Sequence, residues 1–365
     1  MKLFDLKPEY DYMKTEIDQA IQKVIESTAF INGPAVLELE ENFSKFIGVK
    51  YSIGVASGTD ALSVALMSLD IKPGDEVITT PFTFIATSEA IALLGAVPVF
   101  VDIEPDSFNI DAAQIEQKIT KKTKVILPVH LYGQSADMDE ILKIAKKHSL
   151  YVIEDAAQAA GAAYNKKQVG SIGDIGCFSF FPSKNLGCYG DGGMITTNNK
   201  ELAVKMQAIR SHGSLKRYHH ILLGYNARLD TLQAAIVNVK LKHFPEILKK
   251  RAKIADFYLK NLKKIKGNFT CPITKPNRTH TYNQFTLRTP DRDNLQKYLT
   301  ENEIPTAIHY PSPLHLQPVF KYLGYKEGDF PQAERAAKEV ISLPMYPFLS
   351  EDDVVRVAEA IAKFK

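Results

Sequence analysis

At 365 residues, with 45% hydrophobic and 24% charged residues, the chain has the composition of an ordinary soluble protein and material for one large domain plus a smaller one. A net charge of +3 is too small to argue for nucleic acid or an anionic membrane as partner. The three cysteines, Cys177, Cys188 and Cys271, are odd in number and lack CxxC spacing, which argues against a disulfide framework or a zinc site.

Met1–Lys14 carries charges where a secretion signal needs an apolar core, and no apolar run approaches the ~20 residues that span a bilayer. A cytoplasmic protein is expected, without membrane attachment. Downstream, strand-like runs alternate with helical patterns. Tyr51–Val55 leads into Asp60–Leu69, Glu76–Thr79 into Ile85–Leu94, and Val97–Val101 into Ala112–Ile119. Lys124–Val129 precedes Met138–His148, and Leu150–Ile153 precedes an acidic cluster. This alternation predicts an α/β fold whose mostly parallel sheet carries helices on both faces. Ile175–Phe181 and Met194–Thr197 read as further strands and Leu202–Ser211 as a helix. A long helical stretch from Leu229 to about Lys264, interrupted at most near Pro245, connects to a smaller α+β domain. The division falls at 1–249 and 250–365, the small domain comprising strand-like Tyr282–Leu287 and Pro305–His309 and helical Arg292–Glu303 and Glu351–Lys363.

Ligands of parallel α/β sheets bind beyond the carboxyl ends of the strands. Ser57–Asp60, Pro81–Phe84 and Asp155–Gln158 all fall there. Ser57-Gly58-Thr59-Asp60, at a strand-to-helix turn, offers backbone N–H groups and a hydroxyl suited to a phosphate; the alternative is a plain helix cap by Ser57 or Thr59. Asp155 is an acid that can hold a pyridinium nitrogen protonated, or a structural carboxylate at a strand end. Gln158 can donate to a phenolate oxygen, and Phe84 can stack on a ring or simply fill the core. Lys184 lies in FFPSKNLGCYGDGG (180–193), among small turn-forming residues after an apolar strand. A Schiff-base lysine and a strand-end acid are the two side chains a pyridoxal phosphate enzyme most needs. The glycines Gly187, Gly190, Gly192 and Gly193 do not have the order of a GxGxxG fingerprint, and no Walker motif is present.

The segments SGTDAL, PFTF, EDAAQ, FFPSKNLG, GDGG and GYNARLD, in this order, resemble the DegT/DnrJ/EryC1/StrS family of sugar aminotransferases over essentially the whole chain. The resemblance implies the aspartate aminotransferase-like architecture (fold type I), a seven-stranded sheet, a homodimer and pyridoxal 5′-phosphate as cofactor. It also implies roles. Lys184 would form the Schiff base and shuttle protons. Asp155 would bind the pyridine nitrogen, Gln158 the 3-hydroxyl and Phe84 the ring face. Gly58, Thr59 and Ser179 would hold the phosphate, joined by Asn226 of the opposite subunit. Arg228, His309 and Tyr310 would line the substrate side of a site shared between subunits.

SLKRYHHILLGYNARLDTLQ (214–233) and HYPSPLHLQP most resemble the branch that aminates C3 of UDP-2-acetamido-2-deoxy-3-keto-D-glucuronate for bacterial surface polysaccharides, O-antigen and lipopolysaccharide among them, with glutamate as donor. Tyr218 and His219, within the Lys216–His220 run, join the substrate-side set; that run offers cations to the uronate and diphosphate, or is a solvated basic loop. The alternative substrates are dTDP-3-keto-6-deoxy or UDP-4-keto hexoses. Three rivals are a dehydratase, which in this family carries histidine in place of Lys184; a desulfurase, which needs a reactive thiol such as Cys188; and a regulator retaining the fold.

Overall fold

Apolar residues occupy consecutive positions in most of the strands, so each must bury two faces, and helices are needed on both sides of the sheet. The computed structural model describes residues 1–364. Its N-terminal half contains α1 (Lys7–Ser27), α2 (Pro34–Ile47), β1 (Tyr51–Val55), α3 (Gly58–Ser68), β2 (Glu76–Thr79), α4 (Ala86–Leu93), β3 (Val97–Phe100), β4 (Thr123–Ile126), α5 (Met138–His148) and β5 (Tyr151–Asp155). There follow β6 (Ala163–Tyr164), β7 (Lys167–Gln168), β8 (Ile175–Ser179), β9 (Gly193–Thr197), α6 (Lys200–Ile209), β10 (Ser214–Lys216), β11 (His219–His220) and α7 (Thr231–Leu262). The chain ends with β12 (Phe285–Arg288), α8 (Arg292–Glu301), α9 (Pro331–Glu339), β13 (Val340–Leu343) and α10 (Glu351–Lys363).

Seven strands form one sheet in the order β1-β9-β8-β5-β4-β2-β3. β9 is antiparallel to both its neighbours, and the remaining pairs are parallel. The period of two divides the apolar residues between faces. Val125 and Leu127 of the β4 segment, Ile153, Ile175 and Ile195 point into a core shared with α3, α4 and α6. Ile126 and Val152 pack on α5, while Phe178 and Met194 pack on α2 and α7. The far half of α7, through Ala255, Tyr258 and Leu262, packs with β12, β13 and α10 in a separate core. Residue 249 lies inside α7, which runs through Pro245 as one helix.

Most sequence-predicted elements lie within a few residues of their expected ends, with two differences. Ala112–Ile119 forms two 3₁₀ turns, Ala112–Gln114 and Glu116–Lys118, in place of a helix. Pro305–His309 is no strand; only Ala307 bridges, to Ser342. As expected, the long helical stretch continues through Pro245, here without an interruption, although the proline ring removes one backbone donor. Helices α1, α2 and α9 and strand β13 had no sequence expectation.

The end of β5 is held by a fully buried carboxylate. Glu154 Oε1 accepts the N–H groups of Ile172 (2.8 Å) and Gly173 (2.7 Å), and Oε2 that of Gly170 (2.8 Å). His130 Nδ1 accepts from the Ala136 N–H at 3.1 Å, so its proton sits on Nε2, which donates to Glu154 at 2.9 Å. The His130 N–H donates in turn to the Asp155 carbonyl at 3.0 Å. Replacing Glu154 by Ala leaves four donors unsatisfied, those of Gly170 and His130 buried, and should cost about 3 kcal/mol or more. A lower urea midpoint for Glu154→Ala checks this, and an unchanged midpoint contradicts it.

Candidate active site

The turn after β1, the turn after β2, the end of β5 and the loop after β8 meet at the carboxyl edge of the sheet. Ser57 is the N-cap of α3: its Oγ accepts the Asp60 N–H at 3.0 Å and donates to Asp60 Oδ2 at 2.8 Å. The capping alternative is therefore realised by Ser57, and it leaves Gly58 and Thr59 at the first two helical positions, whose N–H groups have no intrahelical acceptor. A Cβ on Gly58 would lie 2.7 Å from Ser179 Cβ, so only glycine lets the end of β8 approach this turn. Gly58, Thr59 and Ser179 thus form one cradle of donors at a helix N-terminus, the arrangement that binds phosphate.

Asp155 is almost fully buried. Its Oδ2 accepts from Thr87 Oγ1 at 2.8 Å and its Oδ1 from the Ala157 N–H at 3.2 Å. Burial raises its pKa; the Thr87 and Ala157 bonds and the charge of Lys184 oppose the rise. Burial likewise pushes the Lys184 amine down to about 8, with Asp155 pulling the other way. Each group thus registers the other's charge across one pocket. Gln158 is oriented from within: Oε1 accepts the Tyr132 N–H at 2.9 Å and Nε2 donates one hydrogen to the Tyr310 hydroxyl at 2.9 Å, leaving its second N–H free. Phe84, at the end of the β2 turn, is 56% exposed, and its ring centroid lies 6.1 Å from that of Tyr310. It is an open ring face, and the core alternative does not hold.

His309 and Tyr310 belong to the same cluster. Burial pushes His309 down to about 4, and the charge of Lys184 adds to this. Its Nδ1 pairs with Ser342 Oγ at 3.0 Å, and its carbonyl accepts from the Tyr132 hydroxyl. The Tyr310 hydroxyl is raised by burial. Two residues here escaped sequence reasoning. Thr87 stands three residues after Phe84, one helical turn on, and that spacing was the available signal. Tyr132 follows β4 at the same carboxyl edge that singled out the other turns.

Four expected residues lie elsewhere. Arg228 bridges Val55 on the outer side of the edge strand β1, and the Ala227 carbonyl accepts from the Ala56 N–H at 3.0 Å. Asn226, beside them, is exposed and bridges Ser211. Tyr218 is 83% exposed with the Arg217 guanidinium over its ring at 4.9 Å, and His219 is exposed on β11. The structure does not bring Tyr218 and His219 to the Lys184 cluster within one chain. Lys216, Arg217 and Arg228 instead line an open cleft of about 520 Å³ against α2 and α6. The Nε atom of Arg228 is buried there without a hydrogen-bond partner. Cys188 is a buried packing residue that donates to the Phe180 carbonyl at 3.0 Å, its thiol raised to about 11, which removes the desulfurase reading. Among the described residues no cluster of His, Cys, Asp or Glu could hold a metal, and no helix is long and apolar enough to cross a membrane.

These residues fit pyridoxal phosphate: a buried carboxylate of raised pKa, an amine of lowered pKa, a tight phosphate cradle and an open aromatic face. The chain matches the DegT/DnrJ/EryC1/StrS aminotransferase family over residues 11–362. It is 52% identical to a "Pleiotropic regulatory protein" of Geobacillus stearothermophilus, covering 99% of this chain and 98% of that protein. It is 45% identical to the UDP-2-acetamido-2-deoxy-3-oxo-D-glucuronate aminotransferase of Pseudomonas aeruginosa, covering 99% of each. Identity to the dTDP-3-amino-3,6-dideoxy-alpha-D-galactopyranose transaminase of Aneurinibacillus thermoaerophilus is 46%, over 96% of this chain and 95% of that one. The crystal structure of DesV from S. venezuelae superposes with a TM-score of 0.97 at 40% identity, covering 99% and 97% of the two chains. The chain belongs to the DegT/DnrJ/EryC1/StrS aminotransferase family and is a pyridoxal 5′-phosphate-dependent nucleotide-sugar aminotransferase.

Proposed function

We propose that this enzyme aminates C3 of UDP-2-acetamido-2-deoxy-3-keto-D-glucuronate with glutamate as donor. We place it in the cytoplasm, as a homodimer, in synthesis of a bacterial surface polysaccharide such as lipopolysaccharide O-antigen. The observation that carries the substrate is the cationic cleft of Lys216, Arg217 and Arg228, which suits a diphosphate and a uronate carboxylate. The 45% identical relative acts on that sugar. The second reading, a dTDP-3-keto-6-deoxy or UDP-4-keto hexose, is favoured by the 46% identical dTDP-sugar transaminase.

The cofactor, when bound, supplies an aldehyde that exchanges with amines and a ring that accepts the electrons of a developing carbanion. The chain supplies the rest. Asp155, buried and hydrogen-bonded by Thr87, offers a carboxylate for the ring N–H. Gly58, Thr59 and Ser179 hold the phosphate, with Asn226 of the opposite subunit, and Phe84 covers one ring face. Gln158 meets the ring hydroxyl with the Nε2 hydrogen that its bond to Tyr310 leaves free. Lys184, whose amine is pushed down to about 8, takes up a proton at Nζ and gives it back within each half of the cycle, acting as base and acid in turn. His309 stays neutral at working pH and, with Tyr310, bounds the substrate side next to Lys184. In a dimer, the exposed Asn226, Tyr218 and His219 and the partly buried Arg228 would reach the opposite site.

The substrate is tested by titrating the loaded enzyme with 3-amino uronate, its non-acidic counterpart, dTDP-3-amino and UDP-4-amino sugars. Formation of pyridoxamine phosphate, read in the visible spectrum, with the uronate alone is the expected result; conversion by another sugar alone overturns the substrate. Lys184→Ala should bind cofactor only noncovalently and lose overall turnover by about 10³-fold or more, as proton transfer and nucleophilic exchange are lost together. Steady-state turnover at the unmodified rate contradicts the role of Lys184.

A further inference from the structure

We propose that Lys240 is a positioning residue, whose ammonium fixes the loop that carries Lys184; this rests on the reading of Lys184 as the reactive amine. Lys240 lies on α7 and is 3% exposed. Its Nζ donates to the Gly187 carbonyl at 2.6 Å and meets Glu9 Oε1, in the first turn of α1, at 2.6 Å. The Tyr189 ring, 5.4 Å away at its centroid, takes the third side of the ammonium. All three directions of the charge are used, and two of them end on the loop that follows Lys184.

The loop is built to present that carbonyl. A Cβ on Gly187 would fall 2.7 Å from the Pro182 carbonyl oxygen and 2.8 Å from that of Phe181, so only glycine allows the chain to fold back just after Lys184. One face of α7 receives it. Gln233 lies seven residues before Lys240, two helical turns, and its Oε1 accepts the Tyr189 N–H at 2.8 Å. Three turns beyond Lys240, the buried Arg251 donates to the carbonyls of Tyr282 at 2.7 Å and Asn283 at 3.1 Å. Asn185, next to Lys184, donates to the neighbouring Thr281 carbonyl at 3.2 Å. Gln233 and Lys240 thus hold the loop after the reactive amine directly, and Arg251 holds the 281–283 segment on which Asn185 rests.

A buried ion pair is a poor stabilising device, because an apolar pair of similar volume packs as well without desolvating two charges. What the Glu9–Lys240 pair adds is direction: a charge-assisted bond to one chosen carbonyl. Position matters here because a displacement of about 1 Å in a reacting group lowers rate by about 100-fold.

The test compares the full-length holoenzyme with Glu9→Gln and with the double variant Glu9→Leu/Lys240→Met. The double variant is used because Lys240→Met alone strands a buried carboxylate. Thermal unfolding, kcat and KM for the nucleotide sugar, and the rate of borohydride trapping of cofactor on Lys184, read by peptide mass, are measured. The double variant should fold and bind cofactor, with kcat and trapping rate down by about 10-fold to 100-fold and KM unchanged. Glu9→Gln, which keeps the bond from Lys240 to Gly187, should stay within about threefold of the unmodified enzyme. Rate and trapping at the unmodified level in the double variant overturn the proposal. So does a double variant that cannot fold, since the pair is then a stability element, or a Glu9→Gln variant as impaired as the double one. If the unmodified protein gives no adduct at Lys184, the assignment of Lys184 itself fails, and that outcome is distinct from the others.

Discussion

The site depends on placing an amine and a carboxylate in one pocket at the carboxyl edge of the sheet. Desolvation acts against both charges, lowering the Lys184 pKa and raising that of Asp155, while their mutual attraction restrains each shift. An amine near 8 is divided between acid and base at neutral to mildly alkaline pH, which a proton carrier needs. Much of the large domain is the means of holding that pocket in place.

Rigidity comes from saturated buried polar groups. Glu154 ties the end of β5 to the 170–173 turn and to His130, so that the neighbouring Asp155 projects from an anchored strand end. Thr87 and Ala157 then orient the Asp155 carboxylate. On the opposite wall, Tyr132 serves twice: its N–H fixes Gln158, and its hydroxyl fixes the carbonyl of His309. The loop following β13's partner segments thereby closes onto the large sheet, and both parts of the chain contribute to one pocket.

The sheet and most of its helices were legible in the sequence because two-face burial writes a strong apolar pattern into each strand. Ala112–Ile119 misled because its apolar spacing resembles a helix too short to complete α-helical turns, and 3₁₀ geometry accommodates it. The antiparallel course of β9 carries no local signal; it follows from pairing with β1 and β8 at long range. In the site, the SGTD turn, Asp155 and Lys184 were visible as polar residues at strand ends, and Phe84 emerged as an open ring face. Tyr132 had only its place after β4 as a signal, and Ser342 had none, since its role is a contact with His309 across distant segments. For Asn226, Arg228, Tyr218 and His219 the resemblance named a site that a single chain does not assemble.

The balance between burial and the Asp155 charge is tested most directly by titrating the nucleophilicity of Lys184 in cofactor-free protein. Competitive acetylation across pH, read by peptide mass, would be compared between the unmodified protein and Asp155→Asn. A midpoint near 8 that moves lower in Asp155→Asn, where the stabilising negative charge is gone, is the predicted result. A midpoint near the ordinary lysine value of about 10.4, unchanged by the substitution, would contradict it.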